Sequence, residues 1–113
     1  MIRSTQNRGF QIEFKNGMTI SVQFGADNYC ERKDMNAPIQ GEMQMRMVES
    51  PNAEIAIWDK DGKWFDFGYD EVKGWVEADE IAEWIALIQY ADDLKHLTKL
   101  AATSLLVKSL TEE

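Results

Sequence analysis

One cysteine, one histidine and two prolines are all that the 113 residues contain of these types. With Cys30 alone, no intrachain disulfide can form, and nothing in the sequence points to an oxidising compartment. His96 alone makes a poor zinc site, because such sites need several nitrogen, sulfur or carboxylate ligands. A Cys30–His96 nucleophile pair would lack a third, orienting group, so Cys30 reads as a structural thiol and His96 as a surface or core-edge side chain. No apolar run reaches the length that crosses a bilayer, and Met1-Ile2-Arg3-Ser4-Thr5 lacks the apolar core of a secretory signal. The expectation is a cytosolic protein.

Positive charge is scarce as well. Twelve Lys and Arg stand against twenty Asp and Glu, for a net charge of −8. The imbalance lies entirely in residues 51–113, since residues 1–50 are balanced at six of each sign. Direct nucleic-acid binding and attachment to an anionic membrane both rest on basic surfaces, so neither is expected. No pair of titratable groups is spaced for acid–base chemistry, which argues against an enzyme and implies no cofactor. Asp59-Lys60-Asp61-Gly62 resembles the start of a calcium loop. The remaining oxygen ligands are missing, so it reads as a hairpin turn and no metal is expected.

Alternation is what the sequence has in abundance. Phe10, Ile12 and Phe14 precede Lys15-Asn16-Gly17, and Met18, Ile20, Val22 and Phe24 follow it. A two-residue turn at Asn16-Gly17 would put the two apolar rows on opposite faces. A three-residue loop ending in Gly17 sets Phe14 opposite Met18, Ile12 opposite Ile20 and Phe10 opposite Val22, all on one face. The same logic applied to Lys60-Asp61-Gly62 sets Ile57 opposite Phe65, Ile55 opposite Phe67, and Trp58 opposite Trp64 on the other face. Met43, Met45 and Met47 predict a further strand near 42–49. Residues 1–8 read as a polar lead-in, and 25–41 as a long connection.

From Asp79 the period changes. Ile81, Trp84, Ile85 and Ile88 lie on one helix face, with Asp79 as its N-cap. Asp92-Asp93 either begins a second helix or lies on one long helix. The expected fold class is α+β, with about five antiparallel strands (two hairpins plus the Met-rich strand) packed against one or two C-terminal helices. A single domain over 1–113 is expected, with the sheet over about 9–70 and the helical region over about 79–110.

Three groups of residues stand out as candidate sites. Trp58 and Trp64, with Asp59 and Asp61 at the turn between them and Trp75 further on, combine aromatic anchors with negative charge. Core burial of both tryptophans is the plainer reading, and a solvated face is the usual meaning of the acidic run from Asp59 to Glu83. Tyr29 with Arg32 or Arg46 could join the tryptophans in holding a nucleotide. Leu97, Leu100, Leu105, Leu106 and Leu110 spread around the tail helix, which predicts a homo-oligomer, a dimer or higher.

The run Phe14-Lys15-Asn16-Gly17-Met18-Thr19-Ile20-Ser21-Val22-Gln23-Phe24-Gly25, then Asn28-Tyr29-Cys30, resembles small accessory proteins of tailed bacteriophages. Their NG-x-T-x-SVQFG-x-x-NYC run is followed by an AEIA-x-WD-x-DG-x-W hairpin, matched here by Ala53 to Trp64. The resemblance covers about the first two-thirds of the chain and carries no catalytic residues with it. It implies a phage protein acting in the host cytoplasm. The expected role is non-enzymatic: binding, and inhibiting or modulating, a host protein such as a defence factor. Sequestration of a nucleotide or other small ligand is the alternative, and a minor virion or assembly component is a third.

Overall fold

The computed structural model describes residues 1–5, 8–25 and 49–111, and the side chains among them as far as Ser104. Five strands form one antiparallel sheet in sequence order: β1 (Ile2–Ser4), β2 (Gly9–Glu13), β3 (Thr19–Gln23), β4 (Asn52–Trp58) and β5 (Lys73–Glu77). Two helices follow, α1 (Ala78–Tyr90) and α2 (Leu94–Thr111). The α+β class holds. The Met43, Met45 and Met47 segment lies outside the described residues.

The first hairpin has the expected register, with Phe10 opposite Val22 and Ile12 opposite Ile20. Phe14 N–H donates to the Met18 carbonyl at 2.8 Å, and Gly17, at φ +88°, donates to the Phe14 carbonyl at 3.0 Å. A positive φ is cheap for glycine and strained for residues with a Cβ. The second turn repeats this pattern atom for atom. Asp59 N–H donates to the Lys63 carbonyl at 2.9 Å, and Gly62 N–H donates to the Asp59 carbonyl at 3.0 Å with φ +80°. Trp58 bridges to Trp64, and Phe65 N–H donates to the Ile57 carbonyl.

The observed register departs from the expected one after Phe65. Phe67 does not lie opposite Ile55; Lys73 does. Asp66 Oδ1 accepts the Gly68 N–H at 2.7 Å, Gly68 takes φ +106°, and Phe67 N–H donates to the Asp70 carbonyl. An Asp side chain holding the backbone two residues on, followed by a glycine in a positive-φ conformation, reverses the chain. The strand that completes the sheet is therefore 73–77, a stretch that reads in the sequence as a connection. The polar lead-in also contains a strand, β1, which pairs Ile2 with Ile12 and Ser4 with Phe10.

The apolar face of the sheet carries Ile20, Val22, Ile55 and Ile57, which join Met18, Ala53, Val76, Trp84, Ile88 and Leu97 in one core. Phe67 turns inward instead of pairing and meets Phe65 and Trp84 edge-on at centroid distances of 5.1 and 5.3 Å. Edge-to-face contacts of this kind add about 0.5–1.5 kcal/mol beyond area burial. Lys73 Nζ contacts Glu80 Oε2 at 2.5 Å, and Trp84 Nε1 donates to the same oxygen at 3.0 Å, so β5 is tied to α1.

Glu77 occupies the N-cap of α1 without a side-chain bond, and Asp79 and Glu80 lie in the first turn. Asp79 is thus a first-turn acid favoured by the helix dipole and not the cap, because β5 runs straight into the helix. At the start of α2, Asp93 Oδ1 accepts the His96 N–H at 2.7 Å, and His96 Nδ1 accepts the Asp92 N–H at 3.0 Å. Asp92-Asp93 therefore separates two helices, and His96 serves the helix start. Leu97 is fully buried in the core of this chain, and Leu100, partly buried, packs against that core. The side chains of Leu105, Leu106 and Leu110 lie outside the described residues.

Candidate functional site

The end of the second hairpin brings together four of the five residues that the sequence singles out for partner binding. Trp58 and Trp64 stack with centroids 5.3 Å apart and planes 28° from parallel. The bridge between strand positions 58 and 64 sets the two indoles side by side on the face away from the helices. Trp58 is half-buried and Trp64 is 42% exposed. Core burial therefore describes Trp58 in part and Trp64 poorly.

Asp59 and Asp61 differ in availability. Asp59 Oδ1 accepts the backbone N–H groups of Asp61 and Lys63, each at 2.9 Å. Its carboxylate is engaged in closing the turn. Asp61 is exposed at the tip. Trp75 is 57% exposed on β5 and sits in a bulge where Gly74 and Trp75 together face Glu54. Its φ is +52°, the one positive value at a non-glycine among the described residues. A bulky side chain in that region is an outlier, and such strain concentrates at functional positions.

The chain reversal after Phe65 creates a feature that the sequence reading missed. Trp64, Asp66, Tyr69, Asp70 and Glu71 line an open hollow of about 580 Å³. Tyr69 is 72% exposed, so two aromatic side chains edge a surface that carries three carboxylates. An aromatic face attracts a cation through its quadrupole, and carboxylates add charge-assisted hydrogen bonds. The acidic run signalled the charge. The expected pairing of Phe67 with Ile55 hid the hollow, because it would have straightened residues 65–70 into a strand.

Tyr29, Arg32 and Arg46, together with Cys30, lie outside the described residues. No helix among the described residues is long and apolar enough to cross a membrane. Among the described residues no group of three or more His, Cys, Asp or Glu is arranged to hold a metal ion. Compared with known proteins, the chain matches no family model, no curated protein and no solved structure.

Proposed function

We propose that this protein is a non-enzymatic bacteriophage accessory protein that binds and inhibits or modulates a host bacterial factor in the host cytoplasm. The observation that carries the reading is the hollow beside the second hairpin. There the exposed rings of Trp64 and Tyr69 stand next to Asp66, Asp70 and Glu71. Exposed aromatics are the residues from which binding hot spots are built, and surrounding charge steers association. The partner surface that fits is basic, with arginine or lysine side chains reaching toward the rings. The sign agrees with the whole chain, whose net charge is −8. The phage origin rests on the resemblance of the two hairpin motifs.

The test is retention of host proteins from bacterial lysate on the immobilised protein, beside a Trp64→Ala variant and an Asp61→Asn/Asp70→Asn/Glu71→Gln variant. One host protein should be held by the parent, lost with Trp64→Ala, and held less as salt rises. Identical retention by all three proteins would overturn the reading.

A further inference from the structure

We propose that the protein segment whose cation enters the acidic hollow also seats an apolar side chain in a second groove, on the other side of Tyr69. The inference rests on the protein-binding reading and names the chemistry of the partner. Its docking segment carries a large aliphatic or aromatic residue within a few positions of an arginine or lysine. One short chain reversal walls both sites. Asp66, Gly68 and Tyr69 line the acidic hollow together with Trp64. The same three residues line a groove of about 270 Å³ that extends to the helices.

The groove follows from how the reversal packs. The turn at Asp66 and Gly68 sends Phe67 toward the core, where it is half-buried, and leaves Tyr69 exposed. Phe65 and Trp84 meet edge-on at 5.7 Å, and Phe67 joins them. Helix α2 faces this aromatic cluster with Ala101 and Ala102, whose methyl groups are short. Rings on one side and methyls on the other leave space between them. Ala101 is buried, whereas Thr98 and Ala102 are exposed, so the groove lies at the margin of the core. A Cβ on Gly68 would meet nothing within 4 Å, so the crest between the two sites is open as well.

Size and charge select the occupant. The groove is smaller than the range of about 300–1,000 Å³ typical of small-molecule sites, and it suits one or two side chains. Of the described residues that line it, only Asp66 and Lys73 are charged. Lys73 is paired with Glu80 and lies 5.9 Å from the centroid of the Trp84 ring. Asp66 is shared with the acidic hollow, where Asp70 and Glu71 add to it. An apolar anchor beside charge of one sign matches a hot spot with a steering rim. The complementary segment is therefore basic and apolar at once. A second copy of this chain, with its net charge of −8, has the wrong sign.

The experiment selects binders of the intact protein from a displayed library of random peptides. Enriched peptides should pair a basic residue with a large apolar one a few positions away. Calorimetry then measures the most enriched peptide. Replacing its apolar residue by alanine should weaken binding about tenfold or more, the effect of losing one buried aliphatic side chain. Ala102→Trp, which fills the groove from an exposed helix position, should weaken the parent peptide by a similar factor. The two changes together should cost little more than either alone, because they remove the same contact. The peptide substitution needs no folded variant, so it decides the matter if Ala102→Trp misfolds. Enriched peptides that are basic only, and bind Ala102→Trp unchanged, overturn the groove and leave the hollow as a docking site. Peptides weakened by Ala102→Trp but not by Trp64→Ala overturn the hollow, and with it the shared segment. Enrichment of acidic peptides, or of none, overturns both.

Discussion

Asn16, in the turn between β2 and β3, donates its side-chain amide to the carbonyl of Ile88 at 2.7 Å, across 72 residues of chain. The same nitrogen reaches the Ala91 carbonyl at 2.9 Å, and Asn16 Oδ1 accepts the Met18 N–H at 3.0 Å. One side chain thus closes its own turn and donates to carbonyls at the end of α1, where Ile88 O also accepts the Ala91 N–H at 3.2 Å. The hairpin and helix are locked at this point.

Replacing Asn16 should therefore cost more than a turn residue usually does. Asn16→Ala should destabilise the protein by about 1–3 kcal/mol, the penalty of leaving partly buried backbone groups unpaired. Asn16→Asp should be worse. Its carboxylate keeps the bond to Met18 but faces two carbonyls at the negative end of the helix dipole. Urea unfolding monitored by tryptophan fluorescence measures both. Equal stability of parent and Asn16→Asp would show that the lock contributes nothing.

The two turn glycines share a backbone conformation but not an environment. A Cβ on Gly17 would lie 2.8 Å from the Lys60 Cβ, whereas one on Gly62 would meet nothing within 4 Å. Both Gly17→Val and Gly62→Val carry the strain of positive φ, about 1 kcal/mol or more. Only Gly17→Val must also push the second turn away. Thermal unfolding should rank Gly17→Val below Gly62→Val, and Gly62→Val below the parent.

Trp75 allows the bulge strain to be separated from the indole. Trp75→Gly and Trp75→Val both remove the ring, but only valine keeps a branched Cβ at φ +52°. The glycine variant should be the more stable by about 1 kcal/mol or more. Equal stabilities would mean that the bulge relaxes without cost.

What the sequence discloses of this fold follows the range of each interaction. The two turns are legible because their geometry depends on five adjacent residues, and the apolar faces then fix register without further information. The helix face of Trp84 and Ile88 is legible for the same local reason. The reversal at Asp66-Phe67-Gly68 is local too, but it competes with a pairing of Phe67 that looks equally good in isolation. Tertiary packing decides for the reversal, since Phe67 gains both Phe65 and Trp84. Strand β5 carries only the weak pattern Lys73-Gly74-Trp75-Val76-Glu77, broken by its bulge. β1 is three residues long. Of the candidate site, Trp58, Asp59, Asp61 and Trp64 come together as their spacing demands. Asp66, Tyr69, Asp70 and Glu71 join Trp64 only through the reversal.

The functional prediction separates anchor from charge. If a host protein docks on the hollow, Trp64→Ala should remove a hot spot worth about 2 kcal/mol or more, roughly thirtyfold in affinity, and do so through faster dissociation. Asp61, Asp70 and Glu71 are exposed and belong to the rim. Asp61→Asn/Asp70→Asn/Glu71→Gln should instead slow association a few-fold and flatten its dependence on salt. Asp59 is left intact in this comparison, because its carboxylate closes the turn and its loss would disturb the Trp58–Trp64 stack. Surface-plasmon kinetics with the host protein retained from lysate distinguish the two effects, once each variant is shown to be folded. A partner that binds both variants with unchanged rates docks elsewhere, and the hairpin is then scaffold. A partner that loses binding with the acid variant at every salt concentration would make the carboxylates the direct contacts and Trp64 their support.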